Sequence, residues 1–163
     1  MQDIYHAEHW HEAFVVLGTA SAAIAGLLIV ATSVRADQLM GVPYWRLRAR
    51  NSTLGMIAIT IGSIFVLLPQ DTHVLGIELI IGNLIGACVL PGPTIINVIR
   101  NGTAVSLRIR MPVWVLFLYF LAASSGASLI AHWGGGLYLL LAAYFGILTT
   151  AVVNAYALLV PKV

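Results

Sequence analysis

The stretch that decides the fold is AFVVLGTASAAIAGLLIVATSV, residues 13–34. It contains no Lys or Arg, and it is long enough to cross the hydrocarbon of a bilayer, which takes roughly 20 apolar residues in a helix. Its apolar residues run continuously, whereas a transmembrane strand alternates apolar and polar side chains. We therefore expect this stretch to be a membrane-spanning helix.

Four further runs of the same kind follow along the chain. They lie at residues 53–68, 74–99, 113–131 and 136–160, and none contains Lys or Arg. Hydrophobic residues make up 60% of the chain and charged residues 9%, against about a quarter charged in a typical soluble domain. These features predict a single all-α domain over residues 1–163, a polytopic membrane helix bundle with five transmembrane helices.

The basic residues predict the orientation of this bundle. All eight lie on one side of a chain that crosses the membrane five times: Arg35, Arg46, Arg48, Arg50, Arg100, Arg108, Arg110 and Lys162. Short segments rich in Lys and Arg remain in the cytoplasm. We therefore expect residues 1–12 to form an outer tail, residues 35–52 and 100–112 to form cytoplasmic loops, and the C-terminus to be cytoplasmic.

Two patterns concern the path and packing of the helices. Pro91-Gly92-Pro93 should break or kink the third helix near its inner end, giving an interfacial segment over residues 94–99 or, alternatively, a hinge or a broken-helix binding site. Small residues four apart predict close helix contacts, within one chain or between copies. They are Gly18, Ala22 and Gly26; Gly82 and Gly86; Ala122 and Gly126; and Ala142, Gly146, Thr150 and Asn154.

The five histidines all fall at the predicted outer face, together with several carboxylates. Imidazole and carboxylate groups are ligands of zinc and copper, histidine also titrates near neutral pH, and interfacial histidines without a ligand are the simplest interpretation. A shallow haem is a less favoured alternative. The candidate metal ligands are His6, His9, His11, His73, His132, Glu8 and Glu12.

Three polar residues inside the predicted spans are candidate binding residues. Glu78 lies about one turn into the third span, Asn83 lies deeper, and Asn154 lies in the fifth span. Ionisable groups within a membrane are often functional, and amides there more often join helices. The bilayer centre is otherwise without charge, which disfavours ion-coupled carriers because these place acidic groups near the midplane.

The first inner segment mixes aromatic residues with arginines and contains Trp45, Arg46, Arg48 and Arg50. This mixture is typical of an interfacial helix that anchors on anionic lipid, and it does not favour nucleic-acid binding. The chain has one cysteine, Cys88, so an intrachain disulfide is excluded. We find no phosphate loop, nucleophile elbow or other catalytic motif.

Four features of the sequence carry a resemblance: the run from Trp10 to Phe14, the following stretch rich in small residues, the arginine-rich first inner segment and Val153-Asn154-Ala155-Tyr156. Together they resemble a group of small multi-pass bacterial membrane proteins. The resemblance implies a location in the bacterial inner membrane. It implies no activity, substrate or site residue.

Three functions fit these observations. The first is a homo-oligomeric channel or passive transport pathway whose mouth is formed by the outer histidines and glutamates. The second is an accessory subunit of a larger membrane complex, a hypothesis favoured by the lack of catalytic motifs. The third is a metal or haem site at the outer face with a redox role.

Overall fold

The computed structural model describes residues 10–34, 43–100 and 105–159, and these residues form six helices. Within residues 43–100 and 105–159, helix is interrupted at two short turns and at one proline-rich break, because long apolar runs with few breaking residues dominate these ranges. The helices are α1 (His11–Val34), α2 (Pro43–Leu67), α3 (Thr72–Val89), α4 (Pro91–Arg100), α5 (Val105–Ala131) and α6 (Leu137–Leu159).

Among the described residues, five helical stretches are long and apolar enough to cross a membrane, which confirms the all-α fold with five candidate spans. They are His11–Val34, Arg46–Leu67, Thr72–Ile96, Pro112–Ala131 and Leu137–Tyr156. Large apolar side chains cover the outside of the bundle: Val16 is 67% exposed, Leu27 70% and Phe145 63%. Such a surface suits hydrocarbon rather than water, so the chain has the character of a multi-pass membrane protein.

The two ends of the bundle differ in chemistry. At one end, which we call the histidine end, Trp10 contacts Tyr138 with ring centroids 4.3 Å apart, and His73 faces His132 with centroids 6.1 Å apart. The opposite end, which we call the arginine end, is where α2 begins and α6 finishes, and it carries Arg46, Arg48 and Arg50. Which end faces the cytoplasm stays a prediction.

The helices extend further than the hydropathy runs predicted. α2 begins at Pro43 instead of residue 53, and α5 begins at Val105 instead of residue 113, so much of the two predicted loops is helical. Proline is well suited to a first helical position, and the Leu, Arg and Ala residues that follow Pro43 favour helix. A hydropathy run detects the part of a helix that suits hydrocarbon and not the turns that continue beyond it.

Two other predicted boundaries also differ from the structure. His11 and Glu12 belong to α1 rather than to the outer tail, and residues 1–9 lie outside the described residues. The third span breaks where Pro91-Gly92-Pro93 predicted a break: α3 ends at Val89 and α4 begins at Pro91. The N–H of Leu90 still reaches the Gly86 carbonyl at 3.0 Å, whereas Pro91 has no N–H to continue the ladder.

A close helix crossing joins α3 to α5 through two glycines. A Cβ atom built on Gly76 would lie 2.8 Å from the Gly126 carbonyl oxygen, and one built on Gly126 would overlap the Gly76 carbonyl. Of the predicted small-residue positions, the glycines that lie at helix contacts are Gly18, Gly86, Gly126 and Gly146. A Cβ on Gly26 or Gly82 would meet nothing within 4 Å. Gly76 was not predicted.

The packing of the described helices leaves an opening between α2 and α3. α1 packs chiefly on α2, α2 packs on α6, α6 on α5, and α5 on α3. α2 and α3, although consecutive in the chain, contact each other much less than these pairs do. A gap therefore lies between α2 and α3.

The turn between α5 and α6 closes the histidine end. His132 and Gly135 have φ values of 50° and 114°, which glycine adopts easily and other residues rarely do. The buried Ser128 hydroxyl donates to the Trp133 carbonyl and accepts from the Gly136 N–H at 2.8 Å. Ser128 therefore replaces the hydrogen bonds that the end of α5 leaves unmade.

Candidate functional site

A cavity of about 70 Å³ lies within the bundle at the arginine end, between α2, the α3–α4 break, α5 and α6. We call it the arginine-end cavity. Since one water needs about 10–15 Å³ of such space, it has room for several waters or a small solute. Its polar lining consists of Arg48, Asn51, Ser52, Thr94, Tyr119, Thr150 and Asn154.

A chain of hydrogen bonds fixes Arg48 at the wall of this cavity. Arg48 Nε donates to Asn154 Oδ1 at 2.8 Å, and Asn154 Nδ2 donates to Ser52 Oγ at 3.1 Å. The guanidinium group can only donate, so the Asn154 oxygen must face it and the Asn154 nitrogen must face Ser52. The bonds join α2 to α6 and hold a cationic group inside the bundle.

Asn51 holds the opposite wall, at the break between α3 and α4. Its Nδ2 donates to the Leu90 carbonyl at 2.8 Å and to Thr94 Oγ1 at 3.0 Å. A carbonyl only accepts, so the amide nitrogen must face the break and Oδ1 must point away from it. That Oδ1 atom is buried and has no hydrogen-bond partner.

Tyr119 closes the inner end of the arginine-end cavity. The residue is 2% exposed, and its hydroxyl is buried without a hydrogen-bond partner. Its ring fits between two glycines on different helices: a Cβ on Gly86 would lie 2.7 Å from Tyr119 Cε1, and one on Gly55 would lie 3.8 Å from the hydroxyl. The hydroxyl therefore lies near Gly55, which itself lines the cavity.

A second cavity, of about 220 Å³, fills the gap between α2 and α3. We call it the α2–α3 cleft. Ile61 and Ile85 on its rim are 47% and 58% exposed, so the cleft opens on the side of the bundle, between the two helices. Its polar lining consists of Glu78, Asn83, Tyr119 and Tyr144.

Glu78 and Asn83 are both fixed within this cleft by hydrogen bonds. Gln70, in the turn at the histidine end, donates to Glu78 Oε2 at 2.9 Å and to the Phe65 carbonyl at 3.0 Å. The buried Asn83 donates to the Leu79 carbonyl of its own helix at 2.8 Å. The carboxylate is thus near the histidine end, and the amide lies more than a helical turn deeper.

The two cavities meet at Tyr119, which lines both of them. One aromatic side chain therefore separates a cavity at the arginine end from a cleft that begins near the histidine end.

The predicted metal ligands are only partly described. His73 and His132 lie together, and His11 begins α1 at the same end. Protein zinc sites use three or four ligands, and no group of three His, Cys, Asp or Glu residues occurs within residues 10–34, 43–100 and 105–159. His6, His9 and Glu8 lie outside the described residues, so the predicted metal site stays a prediction.

The predicted lipid anchors divide into two groups. Arg46 and Arg50 are exposed at the arginine end, and their contact with lipid stays a prediction. Arg48 instead lies against Asn154 inside the bundle. The side chain of Trp45 lies outside the described residues.

The predicted binding residues fall in two different places. Glu78 and Asn83 share the α2–α3 cleft, whereas Asn154 lines the arginine-end cavity. Asn51, Ser52 and Tyr119 were not among the predicted site residues. A signal for Tyr119 was present, because tyrosines favour the membrane interface and this one lies inside the predicted span 113–131.

Comparison of the chain with protein-family models, with curated proteins and with solved structures finds no match.

Proposed function

We propose that each copy of this chain forms a passive pathway for a small polar solute across the bacterial inner membrane. In this proposal the histidine end faces outward and the arginine end faces the cytoplasm, as the distribution of basic residues favours. His73 and His132 then lie near the outer mouth. The pathway runs through the α2–α3 cleft, past Tyr119 and into the arginine-end cavity.

The observation that carries the proposal is that Tyr119 lines both cavities. Polar groups inside a membrane protein are costly unless they face a cavity or one another. Here they line two cavities in a bundle whose outside is apolar. A single ring between those cavities is a small barrier, and a rotation of one side chain is enough to connect them.

The charge distribution supports passive movement. Glu78 is the only carboxylate that lines either cavity among the described residues, and it lies near the histidine end, bonded to Gln70. Ion-coupled carriers place their ionisable groups near the midplane. Because both cavities lie within one chain, the pathway does not need neighbouring copies to form a pore.

Solute flux into liposomes tests this proposal. Purified protein is reconstituted, and the entry of urea, glycolamide and glycolate is followed by light scattering after an osmotic step. We expect at least one of these solutes to enter faster than into protein-free liposomes. Entry of all three at the protein-free rate would contradict the proposal.

A matched pair of substitutions tests whether the solute passes Tyr119. Tyr119→Trp adds bulk at the junction of the cavities and should slow entry severalfold. Phe120→Trp makes a similar change on the next residue, which is 53% exposed on the outside of the bundle, and should leave entry unchanged. Equal flux in both variants would place the pathway elsewhere.

A further inference from the structure

The α2–α3 cleft is open to the side, toward the hydrocarbon of the membrane. It lies between the candidate spans Arg46–Leu67 and Thr72–Ile96. On its rim, Ile61 and Ile85 are both about half exposed, and both lie well inside these spans. Helices of this length cross the hydrocarbon core of a bilayer, so a lipid molecule can reach the cleft without passing through water.

The inside of the cleft has room for part of such a lipid. Its volume of about 220 Å³ would hold on the order of fifteen waters. Gly82 lines the cleft, and a Cβ atom built there would meet nothing within 4 Å. An acyl chain that lies against apolar walls gains van der Waals contacts that empty space does not provide. The apolar side chains of the described lining are Ala58, Ile61, Phe65, Leu79 and Ile85.

One end of the cleft carries a carboxylate at the height of the last turn of α2. Gln70 donates to Glu78 Oε2 at 2.9 Å and to the carbonyl of Phe65 at 3.0 Å, and Phe65 lies in that last turn. Glu78 therefore reaches toward the membrane interface at the histidine end. A carboxylate offers about four acceptor sites, so Glu78 can accept further hydrogen bonds from a cationic group beside Gln70.

These groups follow the order of a phospholipid that stands in a bilayer. Gly82 and Ile85 come after Glu78 on the same helix, which places them about 6 Å and about 10 Å farther from the histidine end. A polar anchor thus lies near the membrane interface, and open space with apolar walls lies below it.

We infer that the α2–α3 cleft binds one phospholipid that carries a primary ammonium headgroup. The lipid enters from the side, its ammonium group donates to Glu78, and one acyl chain occupies the space along Gly82. Charge complementarity selects this lipid, because a primary ammonium has N–H donors for a charge-assisted hydrogen bond with a carboxylate. A trimethylammonium headgroup has the charge but no donor, and a glycerol headgroup leaves the lipid anionic.

The bound lipid regulates the proposed pathway, because the cleft forms the outer half of that pathway. While an acyl chain fills the cleft, a solute cannot reach Tyr119, and when the lipid returns to the bilayer the cleft is open again. The lipid therefore slows solute entry without abolishing it. This regulation rests on the proposed function, whereas the binding of the lipid does not.

Native mass spectrometry of the detergent-purified protein tests the binding. Phosphatidylethanolamine, phosphatidylcholine and phosphatidylglycerol with identical dioleoyl chains are added separately, and the bound lipid is counted at each concentration. We expect phosphatidylethanolamine to bind at about tenfold lower concentration than either of the others, because each of these lacks the ammonium hydrogen bond to a charged group. Equal binding of phosphatidylethanolamine and phosphatidylcholine would overturn the inference.

A pair of charge substitutions assigns the headgroup to Glu78. Glu78→Gln should reduce the binding of phosphatidylethanolamine to the level of phosphatidylcholine, and its amide oxygen can still accept from Gln70. Asp71→Asn removes an exposed carboxylate at the same end of α3, and asparagine caps a helix as well as aspartate does, so this variant should bind the lipid as the unaltered protein does. Unchanged binding in Glu78→Gln, or an equal loss in both variants, would contradict the site.

A second pair assigns the acyl chain to the cleft. Gly82→Phe places a ring in the open space of the cleft and should weaken the binding of phosphatidylethanolamine severalfold. Ile81→Phe makes a similar change on the preceding residue, which is 53% exposed on the outside of the bundle, and should leave binding unchanged. Equal binding in these two variants would place the lipid outside the cleft.

Solute entry into liposomes separates the lipid site from the pathway. Liposomes of phosphatidylcholine, with and without an equal share of phosphatidylethanolamine, are each compared with protein-free liposomes of the same composition. We expect phosphatidylethanolamine to slow protein-dependent entry severalfold in the unaltered protein and to have no such effect in Glu78→Gln. Equal entry in both liposomes would retain the pathway and overturn its regulation by lipid. Lipid binding without protein-dependent entry of urea, glycolamide or glycolate would retain the lipid site and overturn the pathway.

Discussion

The ring of Tyr119 packs directly on the backbone of Gly86, where a Cβ atom would lie only 2.7 Å from Tyr119 Cε1. This contact places an aromatic ring of α5 against α3 at the junction of the arginine-end cavity and the α2–α3 cleft. Glycine at position 86 lets the ring of Tyr119 approach closely enough to separate the two cavities.

Gly86→Ala tests this contact. The added methyl group must push the ring of Tyr119 aside, and overpacking of this kind costs about 1–3 kcal/mol. We expect a lower melting temperature and an altered rate of solute entry. Gly82→Ala is the control on the same helix, because its Cβ would meet nothing within 4 Å; a loss of stability equal to that of Gly86→Ala would contradict the close contact.

The crossing of α3 and α5 gives a second prediction. Gly126→Ala should lower stability by about 1–3 kcal/mol, because its Cβ would overlap the backbone carbonyl of Gly76, which cannot move without shifting α3. Thermal unfolding in detergent measures the effect. Gly26→Ala on α1 meets open space and should be neutral, so similar losses in the two variants would argue against a glycine-dependent crossing.

Ser128 gives a third prediction, at the histidine end. Its buried hydroxyl bonds the Trp133 carbonyl and the Gly136 N–H, so Ser128→Ala leaves two backbone groups unpaired and should cost about 1–3 kcal/mol. Ser124→Ala removes an exposed hydroxyl that bonds only its own helix and should change stability little. Equal melting temperatures of the two variants would show that Ser128 does not hold the turn.

The fold was predictable because a membrane-spanning helix can be recognised from its local sequence. A long apolar run such as residues 13–34 has few alternatives to a spanning helix, and the break at Pro91 follows from proline chemistry. The starts of α2 and α5 were not predictable in this way, because their first turns carry arginines and hydropathy does not distinguish a polar helix from a polar loop.

The candidate site was predictable only in part, because it depends on contacts between distant residues. Glu78, Asn83 and Asn154 stood out as polar groups in apolar runs, but nothing local shows that the first two share a cleft while the third faces Arg48. Arg48 was predicted to be a lipid anchor because its segment mixes aromatic residues with arginines; in the structure Arg46 and Arg50 are exposed, whereas Arg48 lies against Asn154. Its inward direction follows from helical geometry once the start of α2 is known.

The most direct test of the central claim is whether water reaches both cavities from opposite sides of the membrane. The native thiol of Cys88 is exposed, so Cys88→Ser provides the background for single cysteines. Thr150→Cys lies in the arginine-end cavity and Gly82→Cys in the α2–α3 cleft. Val152→Cys and Ile81→Cys are their matched controls, at positions 44% and 53% exposed on the apolar outside of the bundle.

A membrane-impermeant thiol reagent is then applied to each side of the membrane separately. We expect Thr150→Cys to react from the cytoplasmic side, Gly82→Cys to react from the outer side, and neither control to react. Protection of both cavity positions from both sides, or reaction of both from the same side, would contradict a pathway through this chain.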